Sequence, residues 1–445
     1  MTKPQSIPPV SAALAARLAM LANLDAVAGA AVTVVREGAA VGFWSAGYAS
    51  LVFRVPVSER TLFHIGSVGK HITALAVMQL VDAGAVGLSA SVGTYVKGLP
   101  DSWAATPVRA LLTHTSGLPD YGSVIKEWDR PQGRDVILNA IGARPPLFAP
   151  GEAWIYSNTN YLVLGWLTEA VSGTSYADYL RDRLFRPAAL PTAREDSGED
   201  VIPDRAEPYD HRGGRFLHAV RIERSVSAAA DGGALFSARD IAPWSAALSG
   251  HRLASPALMA EAATPVRLAT GRQVPYGFGW FLERTCGHEL RQHAGRVPGF
   301  GAQLLHLPAV ALWVAVMANT TPPPPLLLMA LTAAEAFAPG ATFLSLPSKG
   351  DARDPLTARA RAILERGETP PNVDWFAPEM QLRLRAAAGG LPPALPRGTR
   401  FDQLEPLESY PVDGGTMVRY RGRLAGHAGH YLFGWTEDER IFWAS

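Results

Sequence analysis

The chain has 445 residues, 48% of them hydrophobic, which is enough to bury a large core and long for one domain, so two domains are expected. A formal net charge of +1, with no basic run and no glycine-rich phosphate loop, argues against a nucleic-acid footprint, and no nucleic-acid partner is expected. The single cysteine, Cys286, excludes an internal disulfide and a multi-cysteine metal site.

In chain order, Ala12 to Leu24 is apolar but interrupted by Arg17, which suits an amphipathic first helix better than a secretory h-region, so a cytoplasmic protein is expected. No apolar run reaches the length of a membrane span, and no membrane partner is expected; the strongest run, Ala309 to Ala318, is strand-sized. Gly29 to Arg36 and Val41 to Tyr48 flank Glu37-Gly38 as a hairpin. A nearly all-apolar helix, Ile72 to Asp82, then runs to a stop at Gly84, with Ser67-Val68-Gly69-Lys70 at its head.

From about Leu88 to Ser225 the pattern is mainly helix and loop, with helices predicted at Val108–Leu112, Asp135–Ile141, Tyr161–Val171 and Tyr176–Leu184. Strands are predicted at Tyr276–Glu283, Glu289–His293, Ala302–Leu307 and Ala311–Asn319, with a turn at Cys286-Gly287, followed by a helix at Leu326–Phe337. Pro, Gly and Ser mark a linker from Pro339 to Asp354. Beyond it, helices are predicted at Leu356–Glu365 and Glu379–Ala387, and strands at Thr416–Arg423, His430–Trp435 and Ile441–Ala444.

The fold class these elements imply is α+β, an α/β sandwich in which a mixed, mainly antiparallel sheet is flanked by helices and carries a helical insert. A main domain is expected over residues 1–340 and a small C-terminal α+β domain over 354–445.

Three short segments carry chemistry. Ser67 and Lys70 are three residues apart at a helix start, so hydroxyl and amine share a face and the helix N-terminus favours a developing alkoxide. A lysine on a buried helix must be paired, reach water or be held partly neutral, and no acidic residue lies within a turn of it. Ser123-Val124-Ile125-Lys126 has the same spacing but follows a loop rather than opening a buried helix. In Tyr156-Ser157-Asn158, the phenol can act as general base if a cation such as Lys70 depresses its pKa, and later as proton donor; Asn158 can donate to a substrate carbonyl and accept from Lys70. His293-Ala294-Gly295 ends a predicted strand, where the glycine lets substrate lie against the backbone. Backbone N–H groups of Ser67 and Arg296 are the oxyanion candidates.

In this order the three segments resemble the class C β-lactamase and D-alanyl-D-alanine carboxypeptidase superfamily of penicillin-binding-protein-like serine hydrolases. Leu111 to Tyr121, Asp231 to Ser237 and Tyr276 to Trp280 look like that family's loops and strand, and the likeness spans roughly Gly29 to Phe337. The resemblance implies an acyl-enzyme on Ser67, with Lys70 and Tyr156 sharing proton transfer, in an order it leaves open. It also implies that Asn158 positions the substrate amide or ester, and that the strand from His293 through Gly295 to Arg296 lines the cleft. True β-lactamases of this type usually carry lysine where His293 stands, which points instead to an esterase or D-amino-acid amidase or peptidase with weak or no β-lactam turnover.

The expected partner is a small ester, amide or short peptide, with no cofactor and no metal. Gly-x-Ser-x-Gly and His-x-x-x-His are both absent from the chain. Two alternatives remain: an acyltransferase or peptide cyclase using the same acyl-enzyme, and a catalytically silent penicillin-binding-like scaffold.

Overall fold

The computed structural model describes residues 6–125, 133–196, 200–220, 230–348, 350, 352, 354–365, 372–386, 400–424 and 427–444; Lys126, of the second Ser-x-x-Lys, lies outside them. The main sheet has seven strands: β1 (Gly29–Arg36), β2 (Ala39–Ser50), β3 (Val55–Pro56), β4 (Phe281–Thr285), β5 (His288–Val297), β6 (Phe300–Leu307) and β7 (Leu312–Ala318). Their spatial order is β4-β5-β6-β7-β1-β2-β3, and every neighbour pair is antiparallel. Early and late strands meet at β1 and β7, where Val32 pairs with Val316.

Both faces of this sheet are covered, which explains the unbroken apolar run in β7. Val314, Val316 and Ala318 face α1 (Ala12–Ala22) and a helix at Leu326–Phe337. The alternate residues Trp313, Ala315 and Met317 face a second core that contains α2 (Lys70–Asp82) and α3 (Asn158–Ser172). Among the described residues no helix is long and apolar enough to cross a membrane.

Several elements depart from the pattern read in the sequence. The strand expected from Tyr276 begins only at Phe281, because Tyr276 to Trp280 form a turn in which Gly279 (φ +75°) lies against the Lys70–His71 backbone. The stretch from Leu88 to Ser225 is not purely helix and loop: Tyr209–Arg212 and Arg215–His218 pair as a hairpin, and Arg194–Glu195 pairs with Ala234–Phe236. A helix at Ala238–Ser249 was not expected; a capping box between Ser237 and Asp240 starts it despite Pro243 inside.

The C-terminal sheet consists of β8 (Gln403–Val412), β9 (Gly415–Leu424), β10 (His427–Trp435) and β11 (Ile441–Ala444), all antiparallel in that order. Helices α4 (Pro355–Leu364) and α5 (Pro378–Ala386) accompany it. Its contact with the main sheet is both polar and aromatic. Arg419 on β9, 3% exposed, donates from Nη2 to Glu283 Oε2 of β4 at 2.8 Å and from Nε to Glu408 Oε1 at 2.9 Å. Beside it Trp154, Tyr276, Met417, Phe442 and Trp443 form one apolar cluster.

Candidate active site

The helix carrying Lys70 starts at that residue, and Gly66–Gly69 forms a 3-10 turn leading into it. Residues three apart eclipse in a 3-10 turn. Lys70 Nζ accordingly lies 3.0 Å from Ser67 Oγ. The lysine has 0% exposure, so its amine must find all its partners within the protein. It donates to Asn158 Oδ1 at 2.8 Å and to the Asp231 carbonyl oxygen at 2.6 Å, and it sits over the Tyr156 ring, 4.9 Å from the centroid. Two distant segments, one at the start of α3 and one just before Ala234–Phe236, thus converge on the head of α2.

Burial pulls the Lys70 pKa down from 10.5 to about 8, and the carboxylates of Asp231 and Asp120 limit the fall. These are the acids that sequence proximity did not supply. Burial in turn pushes both carboxyls up, against the attraction of Lys70. Asp231 Oδ2 accepts from Tyr121 OH at 3.0 Å, while Asp120 Oδ2 accepts from Asn158 Nδ2 at 3.4 Å. Both residues lie in stretches that carry the family resemblance, and the signal that could have singled them out is the lysine itself. A buried ammonium without a local acid requires remote ones.

Tyr156 behaves differently from expectation. Burial raises its pKa well above 10, outweighing the opposing influence of the Ser67 hydroxyl. Lys70 does not depress it, so the phenol stays protonated in the resting site. The hydroxyl is buried without a hydrogen bond of normal geometry. The ring packs on His114 at 4.4 Å between centroids. His114 Nδ1 accepts from Ser157 N at 3.2 Å and faces Asn160 Nδ2 at 3.0 Å, which fixes the Tyr156–Asn158 segment from below. His114 lies in the Leu111–Tyr121 stretch that carries the family resemblance, but the sequence assigned it no role.

The third segment lies on β5. The backbone of Gly295 presses so closely on the nucleophile turn that a Cβ there would run into the Ile65 carbonyl and stand 3.0 Å from Ser67 N. A Cβ on Gly66 would stand 2.7 Å from Arg296 N. The Ser67 and Arg296 amides are therefore neighbours, as two oxyanion donors must be. His293 is buried at 2% exposure, and burial, then the charge of Lys70, pull its pKa down to about 3. Its Nδ1 donates to the Ala294 carbonyl at 2.7 Å, which leaves Nε2 to accept from Tyr276 OH at 3.3 Å. The imidazole is neutral and supplies no cation.

Two cavities of about 470 and 500 Å³ lie elsewhere, one behind α2 beside His71 and Trp313, the other at the C-terminal sheet beside Glu283 and Tyr410. Neither is lined by Ser67. The candidate site is marked by its convergent polar groups.

A family model described as Beta-lactamase matches residues 19–338. The chain is 30% identical over 284 residues to penicillin-binding protein 4* of Bacillus subtilis (strain 168), covering 59% of this chain and 61% of the relative. It is 29% identical over 301 residues to a D-aminopeptidase of Brucella canis, covering 65% of this chain and 56% of the relative. The chain thus spans less than two thirds of the length of these relatives. Among solved structures, the octameric penicillin-binding protein homologue from Pyrococcus abyssi has the same fold, with a TM-score of 0.65 at 22% identity over 96% of this chain and 94% of that one.

Proposed function

The chain belongs to the Beta-lactamase family of serine hydrolases, and on that premise we propose that it acts through a Ser67 acyl-enzyme on small amides or short peptides, with esters as further substrates. The observation that carries this reading is the environment of Lys70. Its ammonium donates to Ser67, Asn158 and Asp231. Two of those acceptors are carbonyl oxygens, which cannot donate. When the amine loses one proton, its lone pair is left to the Ser67 hydroxyl.

Lys70 is then the first base. The Ser67 proton passes to Nζ as Oγ bonds to the substrate carbonyl carbon, and the oxyanion is met by the Ser67 and Arg296 amides. The leaving nitrogen or oxygen takes its proton from the Tyr156 hydroxyl as the scissile bond breaks, and Lys70 returns the serine proton to the phenolate. In the second half, water gives a proton to Lys70 while its oxygen attacks the acyl carbon, and Ser67 departs with that proton. Asn158 holds Lys70 through its oxygen and offers an amide N–H to the substrate.

The D-aminopeptidase relative supports a substrate with a D-residue at the scissile bond. The neutral His293 argues against efficient β-lactam turnover, because it places no charge opposite the β-lactam carboxylate. The test is intact-mass analysis after a fluorophosphonate, alongside turnover of D-amino-acid amides, D-dipeptides, short esters and a cephalosporin. An adduct on Ser67 with amide or peptide turnover is expected. A folded protein that forms no Ser67 adduct would defeat the proposal.

A further inference from the structure

The cavity of about 470 Å³ behind α2 takes no part in the Ser67 chemistry, since Ser67 is not on its lining. One wall is a single stripe of α2, His71, Leu75 and Met78, at i, i+4 and i+7. The floor is the main sheet, where Arg291, His306 and Trp313 stand opposite one another across β5, β6 and β7. Phe278 and Trp280 close a third side. Ser249, His251 and Ala260 are also on the lining and are exposed, so the space opens to solvent.

Its polar groups set it apart from a packing fault. Empty voids in proteins are apolar, whereas this one is lined by a guanidinium and an imidazole. Arg291 uses Nε on Glu289 Oε1, at 2.6 Å, and a guanidinium has four further N–H groups. Glu289 is not on the lining, and among the described residues no aspartate or glutamate is. His306 is 7% exposed, its ring stacks on Trp313 at 3.7 Å between centroids, and its Nδ1 is buried with no partner. Burial, then the charge of Arg291, pull its pKa down to about 3, so the imidazole is neutral and offers a hydrogen bond without a charge. His71 contributes only its ring: Nδ1 donates to the Val68 carbonyl, and Nε2 accepts from the Trp244 indole N–H at 2.8 Å. The cavity is therefore a ring-lined apolar chamber with one cationic end.

We propose that this cavity binds a small aryl-alkyl monocarboxylate, with its carboxylate on Arg291 and His306 and its ring among Met78, Trp280 and Trp313. The volume is that of an ordinary small-molecule site. A planar carboxylate matches the guanidinium fork, and a lining with one permanent cation and no acid selects a single negative group. Trp280 and Trp313, 6.1 Å apart between centroids and inclined at 67°, offer a face and an edge to an aromatic body. Binding here is independent of the Ser67 reading.

The test is isothermal titration calorimetry of the unaltered full-length protein with 3-phenylpropionate and with 3-phenylpropan-1-ol, its neutral counterpart. The acid is expected to bind roughly ten- to a hundredfold more tightly, the range of one charge-assisted contact. Arg291→Met should bring the acid to the level of the alcohol while leaving the alcohol within about twofold, and Arg291→Lys should keep part of the preference. Ala260→Trp, which puts an indole into the exposed mouth, should weaken both probes. No binding of either probe, or equal binding of acid and alcohol, overturns the inference. So does an acid preference that survives Arg291→Met, or binding that Ala260→Trp leaves unchanged, which would place the ligand elsewhere. If Arg291→Met does not fold, the unaltered protein and Arg291→Lys still decide. A protein that labels on Ser67 but ignores both probes loses this site and keeps its hydrolase chemistry.

Discussion

The Lys70 amine stands 3.0 Å from the Ser67 hydroxyl in a pocket that leaves it no exposure to water. Because its charged form is the one that burial disfavours, this lysine gives up a proton far more readily than a surface lysine does. The pairing makes the pH dependence of the reaction predictable.

With the Lys70 pKa near 8, about a tenth of the amine is neutral at pH 7 and about half at pH 8. Activity should therefore rise with pH, close to tenfold from pH 6 to 7, and level off above about pH 9. A kcat/KM profile checks this, and a flat profile from pH 6 to 9 would exclude Lys70 as the base. The same lowered pKa means that the ammonium opposes folding below about pH 8. The stability linked to Lys70 increases as pH climbs from about 8 towards its ordinary value of 10.5.

Asp231 raises the Lys70 pKa by attraction. Asp231→Asn removes that charge, while the new amide oxygen can still accept from Tyr121. The rising limb of the pH profile should move to lower pH. A limb that stays in place would mean that another group controls it.

Ser67→Ala should abolish turnover and the fluorophosphonate adduct without loss of fold, since the hydroxyl's role here is chemical. Lys70→Ala should lower kcat/KM at least about a hundredfold. Full activity in Ser67→Ala would remove the acyl-enzyme.

Tyr156→Phe separates catalysis from stability. The phenol oxygen is buried without a hydrogen bond of normal geometry, so removing it should leave stability unchanged or raise it by up to about 1–3 kcal/mol of relieved desolvation, read as an unchanged or higher melting temperature. Turnover should fall at least about a hundredfold, most steeply for amides, whose leaving nitrogen needs a proton. Unchanged amide turnover would assign the proton donor elsewhere.

Gly295→Ala places a methyl where the Ile65 carbonyl lies. The strand must back away from the nucleophile turn, at roughly 1–3 kcal/mol of stability, and the Ser67 and Arg296 amides separate. A loss in kcat exceeding the change in KM is expected. Near-normal kcat would show that the two amides do not form the oxyanion hole.

How much of this was legible in the sequence depends on the range of the interaction. Ser67 and Lys70 meet because local helical geometry brings residues three apart together, so their spacing sufficed. Tyr156, Asn158 and His293 come from elsewhere in the chain; their residue types and local context suggested the chemistry, and their order, through the family resemblance, tied them to one site. The roles of Asp120, Asp231 and His114 depend on tertiary burial, which spacing does not report. Tyr156 was expected to titrate down beside Lys70, whereas desolvation outweighs that cation. Strand β8 escaped notice because Pro406 and Pro411 interrupt it; it lies at a sheet edge, where a missing N–H is tolerated, and the pairing shifts register just after Pro406.

Arg419 joins Glu283 of the main sheet to Glu408 of the C-terminal one. Shortening the protein ahead of Asp354 in search of a minimal catalyst is therefore not a neutral edit. It would strand the acid of Glu283, only 8% exposed, without its counter-ion and turn the side of Trp154 and Tyr276 into a sticky outer surface. Such a fragment should come out of cells as inclusion bodies, and a useful miniature would have to keep β9 or replace Glu283 and those rings with polar residues.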